Sequence, residues 1–332
     1  IRTRRPSNAR GRLAVLDWSL PALIWAAAIF IVVITGGGGD GSIGGRLIGQ
    51  LIAAMALVAV LRRPAPLSWQ RRASDYFAIG IVALLLLQLI PLPPSLWTAM
   101  PGREIFEQGD LLVFDALPWR PISLQPAQTL YTVIYLLPAL TFYFAYRLGS
   151  EERRRAILLG LAAAWLFAVL FGLLQFAASG IAPRFYANAH STIAVGFFAN
   201  RNHQACFIAM GIPLLAMIVQ RLRTGRTPDE LRIVYGAALA VALFAIIAVL
   251  GTGSRAGLVL ILASTGLTSA ILFALAGERR TPMFWPAVSG GGGIMVAVAA
   301  IALFSGSRAG SAVSRLAAED DPREEIWPVV ID

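Results

Sequence analysis

Apolar residues come in long blocks along this chain, separated by shorter polar segments that carry most of the charge. Nine blocks lie near 17–34, 46–61, 75–91, 128–146, 155–177, 203–220, 233–250, 256–275 and 284–304. Several reach the ~20 residues that carry a helix across ~30 Å of hydrocarbon. A helix satisfies its own backbone groups, which lipid cannot do, so open-ended spans are helical. The pattern predicts an all-α polytopic membrane protein with about nine transmembrane helices. The short turn at 251–255 is where a broken helix would hide.

Composition strengthens this class. The 332 residues are 57% hydrophobic and 14% charged, with a mean hydropathy of +0.70, far from a soluble globular domain. The formal charge of +10 raises nucleic acid as a partner, but the arginines sit in loops between apolar blocks, so membrane lipids are the expected surroundings and no nucleic acid is expected. All 28 basic residues are Arg. The single cysteine, Cys206, excludes an intramolecular disulfide.

Arginine placement orients the bundle. With the N-terminus in the cytoplasm, the inner segments are 1–16, 62–74, 147–154, 221–232 and 276–283. Counting Arg155 at its helix boundary, they hold 5, 4, 4, 4 and 2 arginines, 19 of the 28. The positive-inside rule then puts 92–127, 178–202 and everything after 304 on the outer side. Arg2, Arg4, Arg5, Arg10 and Arg12 precede the first block as they would in a secretory signal, but no small-residue cleavage site follows, so a retained anchor is expected. The chain divides into a cytoplasmic segment 1–16, N-terminal spans with a first large outer loop over 17–127, a transmembrane core over 128–304, and the beginning of an outer loop over 305–332.

Against that orientation a few arginines stand out. "GFFANRNHQACF" (196–207) puts Asn200, Arg201, Asn202 and His203 at the outer mouth of the sixth block, and "GTGSRAG" (251–257) puts Ser254 and Arg255 in the outer turn between the seventh and eighth. Arg308, in a second "GSRAG", and Arg323 lie past the ninth. A guanidinium stays charged and grips phosphate with two parallel bonds, and neighbouring Gly and Ser allow close backbone approach. A lipid diphosphate at the outer leaflet is the ligand this suggests, with Arg201, Asn200, Asn202, Ser254 and Arg308 binding it. The plainer account is a helix cap with headgroup-seeking arginines. His203 and His190 have no carboxylates at ligand spacing, so no metal is expected. The glycine runs 36–39 and 290–293 lack the Lys-Ser/Thr of a phosphate loop.

These segments resemble a family. "GFFANRNHQACFIAMGIPLL" (196–215) is similar to the Phe-x-Asn-x-Asn-His segment of the O-antigen ligase and O-antigen polymerase superfamily, and "TGSRAGLVLIL" (252–262) to its Ser-Arg-Gly/Ala-Gly helix start. "DPREEIW" (321–327) resembles the element that opens its large periplasmic loop, and "PISLQPAQTLYTVIYLLPALTFYFA" (121–145) the stretch before its fourth or fifth helix. Together they cover residues 120 to 332 in the family's order.

The resemblance implies a membrane glycosyltransferase of the type C class, in the bacterial inner membrane with its active face periplasmic. Such enzymes move a glycan from undecaprenyl diphosphate to an acceptor hydroxyl of lipid A core, of a growing glycan as in exopolysaccharide polymerisation, or of a protein. By matching position, Arg201 and Arg255 would hold the diphosphate and Arg323 would assist, with no cofactor. The family's catalytic His is expected on the large loop, beyond the "PVVID" at which the chain stops. The chain also begins with Ile1, so it reads as a fragment or a shortened product. His203 would substitute as base only if it faced the same cavity. The alternative is a non-catalytic transporter or channel for an anionic or lipid-linked substrate, whose outer arginines draw anions toward a path. No repeated hydropathy halves are visible in this chain.

Overall fold

The computed structural model describes residues 19–37, 43–62, 72–178, 181–186, 189 and 193–276. They form ten helices and one two-stranded ladder: α1 (Leu20–Thr35), α2 (Ile43–Leu61), α3 (Ala73–Leu87), β1 (Pro91–Leu92), α4 (Pro94–Trp97), α5 (Glu104–Leu111), β2 (Arg120–Pro121), α6 (Pro126–Leu148), α7 (Glu151–Ala177), α8 (Arg201–Leu222), α9 (Pro228–Thr252) and α10 (Arg255–Ala276). Among the described residues six helices are long and apolar enough to cross a membrane: α2, α6, α7, α8, α9 and α10. α1 and α3 are apolar but have only 16 and 15 residues. The ninth expected block, 284–304, lies outside the described residues, as do Arg308 and Arg323.

Local chemistry explains why two blocks yield shorter helices. α1 ends at Thr35, whose hydroxyl bonds back to the Ile31 carbonyl (2.8 Å), and Gly36 follows. α3 stops ahead of Pro91, Pro93 and Pro94, which cannot extend a helix. The expected inner segment 147–154 shrinks to a break at Gly149 and Ser150, because Glu151 and Glu152 suit the electropositive first turn of α7.

The chain separates into two compact units, one of Ile1–Ala28 with Ile48–Ile157 and one of Ile29–Leu47 with Leu158–Asp332. In the first, α3 and α6 pack antiparallel through one buried polar knot. Asp75, wholly buried, accepts from Arg147 Nε (2.9 Å) and Nη2 (2.8 Å), from the Tyr143 hydroxyl (2.6 Å) and from the Arg72 backbone N–H (2.8 Å). At the other end of these helices, residues 88–125 build a folded loop instead of a featureless connection. Its ladder pairs Pro91 with Pro121 and Leu92 with Arg120.

The second unit holds the larger apolar core, centred on Trp165, Val169, Phe197, Ile208, Ile246 and Val249. α8 packs against both α9 and α10, and among the described helices the α8–α10 contact is the most extensive. The helices have similar lengths (22, 25 and 22 residues), so the chain runs along α8, back along α9, and forward again along α10. Thr227 and Glu230 cap α9 reciprocally, and Gly253, left-handed at φ 60°, ends it. α8 and α10 are therefore parallel, and their first residues meet at one end.

A buried charge left without its partner costs more than the pair contributes when intact. Asp75→Asn or Arg147→Gln alone is expected to lower the thermal midpoint in detergent by several degrees, and the double substitution by less than the sum of the two. Additive losses would show that this pair does not join α3 to α6.

Candidate functional site

Two short segments, 54 residues apart in sequence at Arg201 and Arg255, share the end of the α8–α10 pair. Asn200 has extended backbone (φ −119°, ψ 126°) and caps α8, its side chain accepting from the Asn202 N–H (2.8 Å). Ser254 does the same for α10, its hydroxyl accepting from the Gly257 N–H (3.0 Å). That hydroxyl also donates to the Asn202 side-chain oxygen (2.7 Å), so one hydrogen atom ties the start of α10 to the start of α8. Farther along, the Ser264 hydroxyl donates to the Ala209 carbonyl (2.8 Å), which holds the same parallel register.

Gly257 makes this closeness possible. A β-carbon there would come within 2.4 Å of the Ala205 β-carbon on α8. Four of the five "GSRAG" positions thus have a structural reason: Gly253 takes the left-handed turn, Ser254 caps and joins, Arg255 opens the helix, and Gly257 admits α8. Ser254 is buried with its hydroxyl engaged twice, and it acts behind the surface by fixing Asn202 and Arg255. The Ser254 N–H is held in turn by the Thr252 hydroxyl (3.2 Å), which donates to the Val249 carbonyl (2.6 Å).

Arg201 and Arg255 are each the first residue of their helix and half-buried, while Asn200, Asn202 and His203 are exposed. The site therefore combines two parallel helix N-termini, whose aligned dipoles favour an anion, with a guanidinium at the head of each. Among the described residues no group of three His, Cys, Asp or Glu side chains is placed to hold a metal. His190 lies outside the described residues.

Two glutamines shape the segment leading into α8, and sequence reasoning passed over both. Gln175, buried near the end of α7, accepts from the Val195 (2.9 Å) and Gly196 (2.7 Å) N–H groups and donates to the Pro183 (3.0 Å) and Gly196 (3.1 Å) carbonyls. It holds the connection as a strand partner would. Gln204, buried in the first turns of α8, donates to the Ala168 carbonyl (2.8 Å) on α7. Its oxygen faces Gly196, where a β-carbon would sit 2.2 Å away and where φ is +59°. The available signal was a lone polar side chain inside an apolar block, whose burial calls for partners in the fold. Trp165 completes the α7–α8 seam by donating to the Ile208 carbonyl (2.9 Å).

In the first turn of a helix Ala normally outperforms Gly, by up to about 1 kcal/mol. Here the sign is expected to reverse: Gly257→Ala should destabilise by about 1–3 kcal/mol through overpacking, and Ala205→Gly in the same chain should recover most of it. A double-mutant cycle on Asn202→Ala and Ser254→Ala should give a coupling of about 0.5–3 kcal/mol. Additivity in detergent melts would remove the joint between the helix starts. No protein-family model, curated protein or solved structure matches this chain.

Proposed function

We propose that the chain is a membrane glycosyltransferase that moves a glycan from a lipid diphosphate to an acceptor hydroxyl, in the manner of O-antigen ligases and polysaccharide polymerases. The observation that carries this reading is the 2.7 Å hydrogen bond between Ser254 and Asn202, which brings the two motif segments to one helix end. Transfer of this kind makes a bond from the acceptor oxygen to the anomeric carbon and breaks the bond from that carbon to the diphosphate. The leaving group gathers negative charge, so fixed positive charge aimed at it is the main catalytic requirement. Arg201 and Arg255 at two helix N-termini meet that requirement without a metal. His203, exposed in the same first turn, is the candidate among the described residues to take the acceptor's proton.

The six apolar helices support a multi-pass membrane protein. The split of 19 arginines against 9 supports a cytoplasmic N-terminus and a periplasmic site in a bacterial inner membrane. Within each unit, the starts of α8 and α10 share one end, and so do the start of α3 and the end of α6, as that topology requires.

Arg255→Lys keeps the charge but loses the planar fork, so glycan transfer from undecaprenyl diphosphate in membranes should fall well below wild type. Arg255→Ala should fall further, by about 10² to 10³ in rate, as for loss of one preorganised donor to developing charge. An arginine that merely reaches headgroups is replaceable by lysine. Wild-type transfer by Arg255→Lys, at matched protein level, would refute the diphosphate role.

A further inference from the structure

The loop between α3 and α6 is built inside out. Two of its charged side chains, Arg103 and Asp110, are each only 5% exposed, while Ile105 and Val113 are 73% and Leu112 is 87% exposed. The inward charges are well accommodated. Arg120 binds both Asp110 oxygens and holds that carboxyl below the usual carboxylate range. Its guanidinium lies 5.9 Å from the rings of both Trp97 and Phe106. Arg103 donates to the Pro121 and Ile122 carbonyls, and the wholly buried Trp97 donates to the Pro118 carbonyl (2.9 Å). The loop holds Arg103, Asp110 and Arg120 in an internal core and turns Ile105, Leu112 and Val113 outward beside the exposed carboxylates Glu104 and Asp115, a mixed apolar and charged surface with a large apolar share.

We propose that this loop lies in the bilayer interface at the face from which it emerges, with Ile105, Leu112, Val113 and Phe114 as its lipid contacts. Two observations favour lipid over a protein partner. The loop is tethered at both ends to apolar helices, α3 and the spanning α6, so it stays at the bilayer surface whatever else is present. Exposed apolar side chains also continue into α6, interspersed with the exposed Gln125 and Gln128: Ile122 and Leu124 precede the helix, and Leu130 with the stacked, exposed pair Tyr131 and Tyr135 lies along its first turns. Exposed Tyr at a helix entry, with Trp119 on the loop, is the aromatic belt of a membrane surface. Seated this way, the loop works as an interfacial element that fixes how deep and at what tilt α3 and α6 sit.

The test uses the full chain with Cys206→Ser and a single new cysteine, Val113→Cys or Phe114→Cys, carrying an environment-sensitive nitrobenzoxadiazole label. The protein is placed in phosphatidylcholine vesicles with and without acyl-chain nitroxide lipid. Thr224→Cys, in the exposed turn after α8, serves as the water reference. The expected result is blue-shifted emission at 113 and 114 with loss of intensity to the nitroxide, and neither at 224. Emission at 113 and 114 matching that at 224 would leave the loop in water and overturn the proposal. Blue-shifted emission that the nitroxide does not quench would mean that protein, including a second copy of this chain, covers the patch, and would overturn it equally.

Discussion

The Ser254 hydroxyl is the point on which the architecture of the second unit turns. It donates to Asn202 and accepts from the Gly257 N–H, so one group caps α10, joins it to α8 and leaves neither partner wanting. In an apolar interior an unmade hydrogen bond is costly, so this arrangement excludes other registers of the two helices. Everything proposed for the site follows from that register. Two helix dipoles add at one place only if the helices are parallel and start together.

Polar side chains elsewhere in the unit do similar work. Gln175 stands in for a neighbouring strand to the segment around Gly196, and Gln204 and Trp165 bond carbonyls on the facing helix. Because lipid offers no competing donor or acceptor, a few side chains of this kind suffice to set helix order where apolar packing alone is permissive. The first unit uses a charged version of the same device, with Asp75 gathering Arg147, Tyr143 and the start of its own helix.

The loop before α6 shows the opposite sorting. There Arg103, Asp110 and Arg120 are held within a miniature core while Ile105, Leu112 and Val113 are left outside. Both arrangements answer one rule: charge is placed where it has a partner, and apolar surface where there is no water to order.

The sequence by itself determined the helical class and the approximate place of eight of the nine expected blocks, because block length and apolarity act locally and lipid leaves no other backbone solution. It also singled out Asn200–His203 and Ser254–Arg255, because charge at an apolar boundary needs a reason. It did not reveal that residues 88–125 are folded, since the ion pair and hydrogen bonds inside that loop join residues apart in sequence. The helix ends that leave α1 and α3 at 16 and 15 residues lay in Thr35, Gly36 and the prolines after Ile90. Gln175 and Gln204 were legible only as lone amides in apolar blocks, because the carbonyls and N–H groups they bond are brought to them by the fold. Only the tertiary structure decided that segments 54 residues apart meet. That meeting depends on an antiparallel return of matched length along α9 and on the missing β-carbon at Gly257.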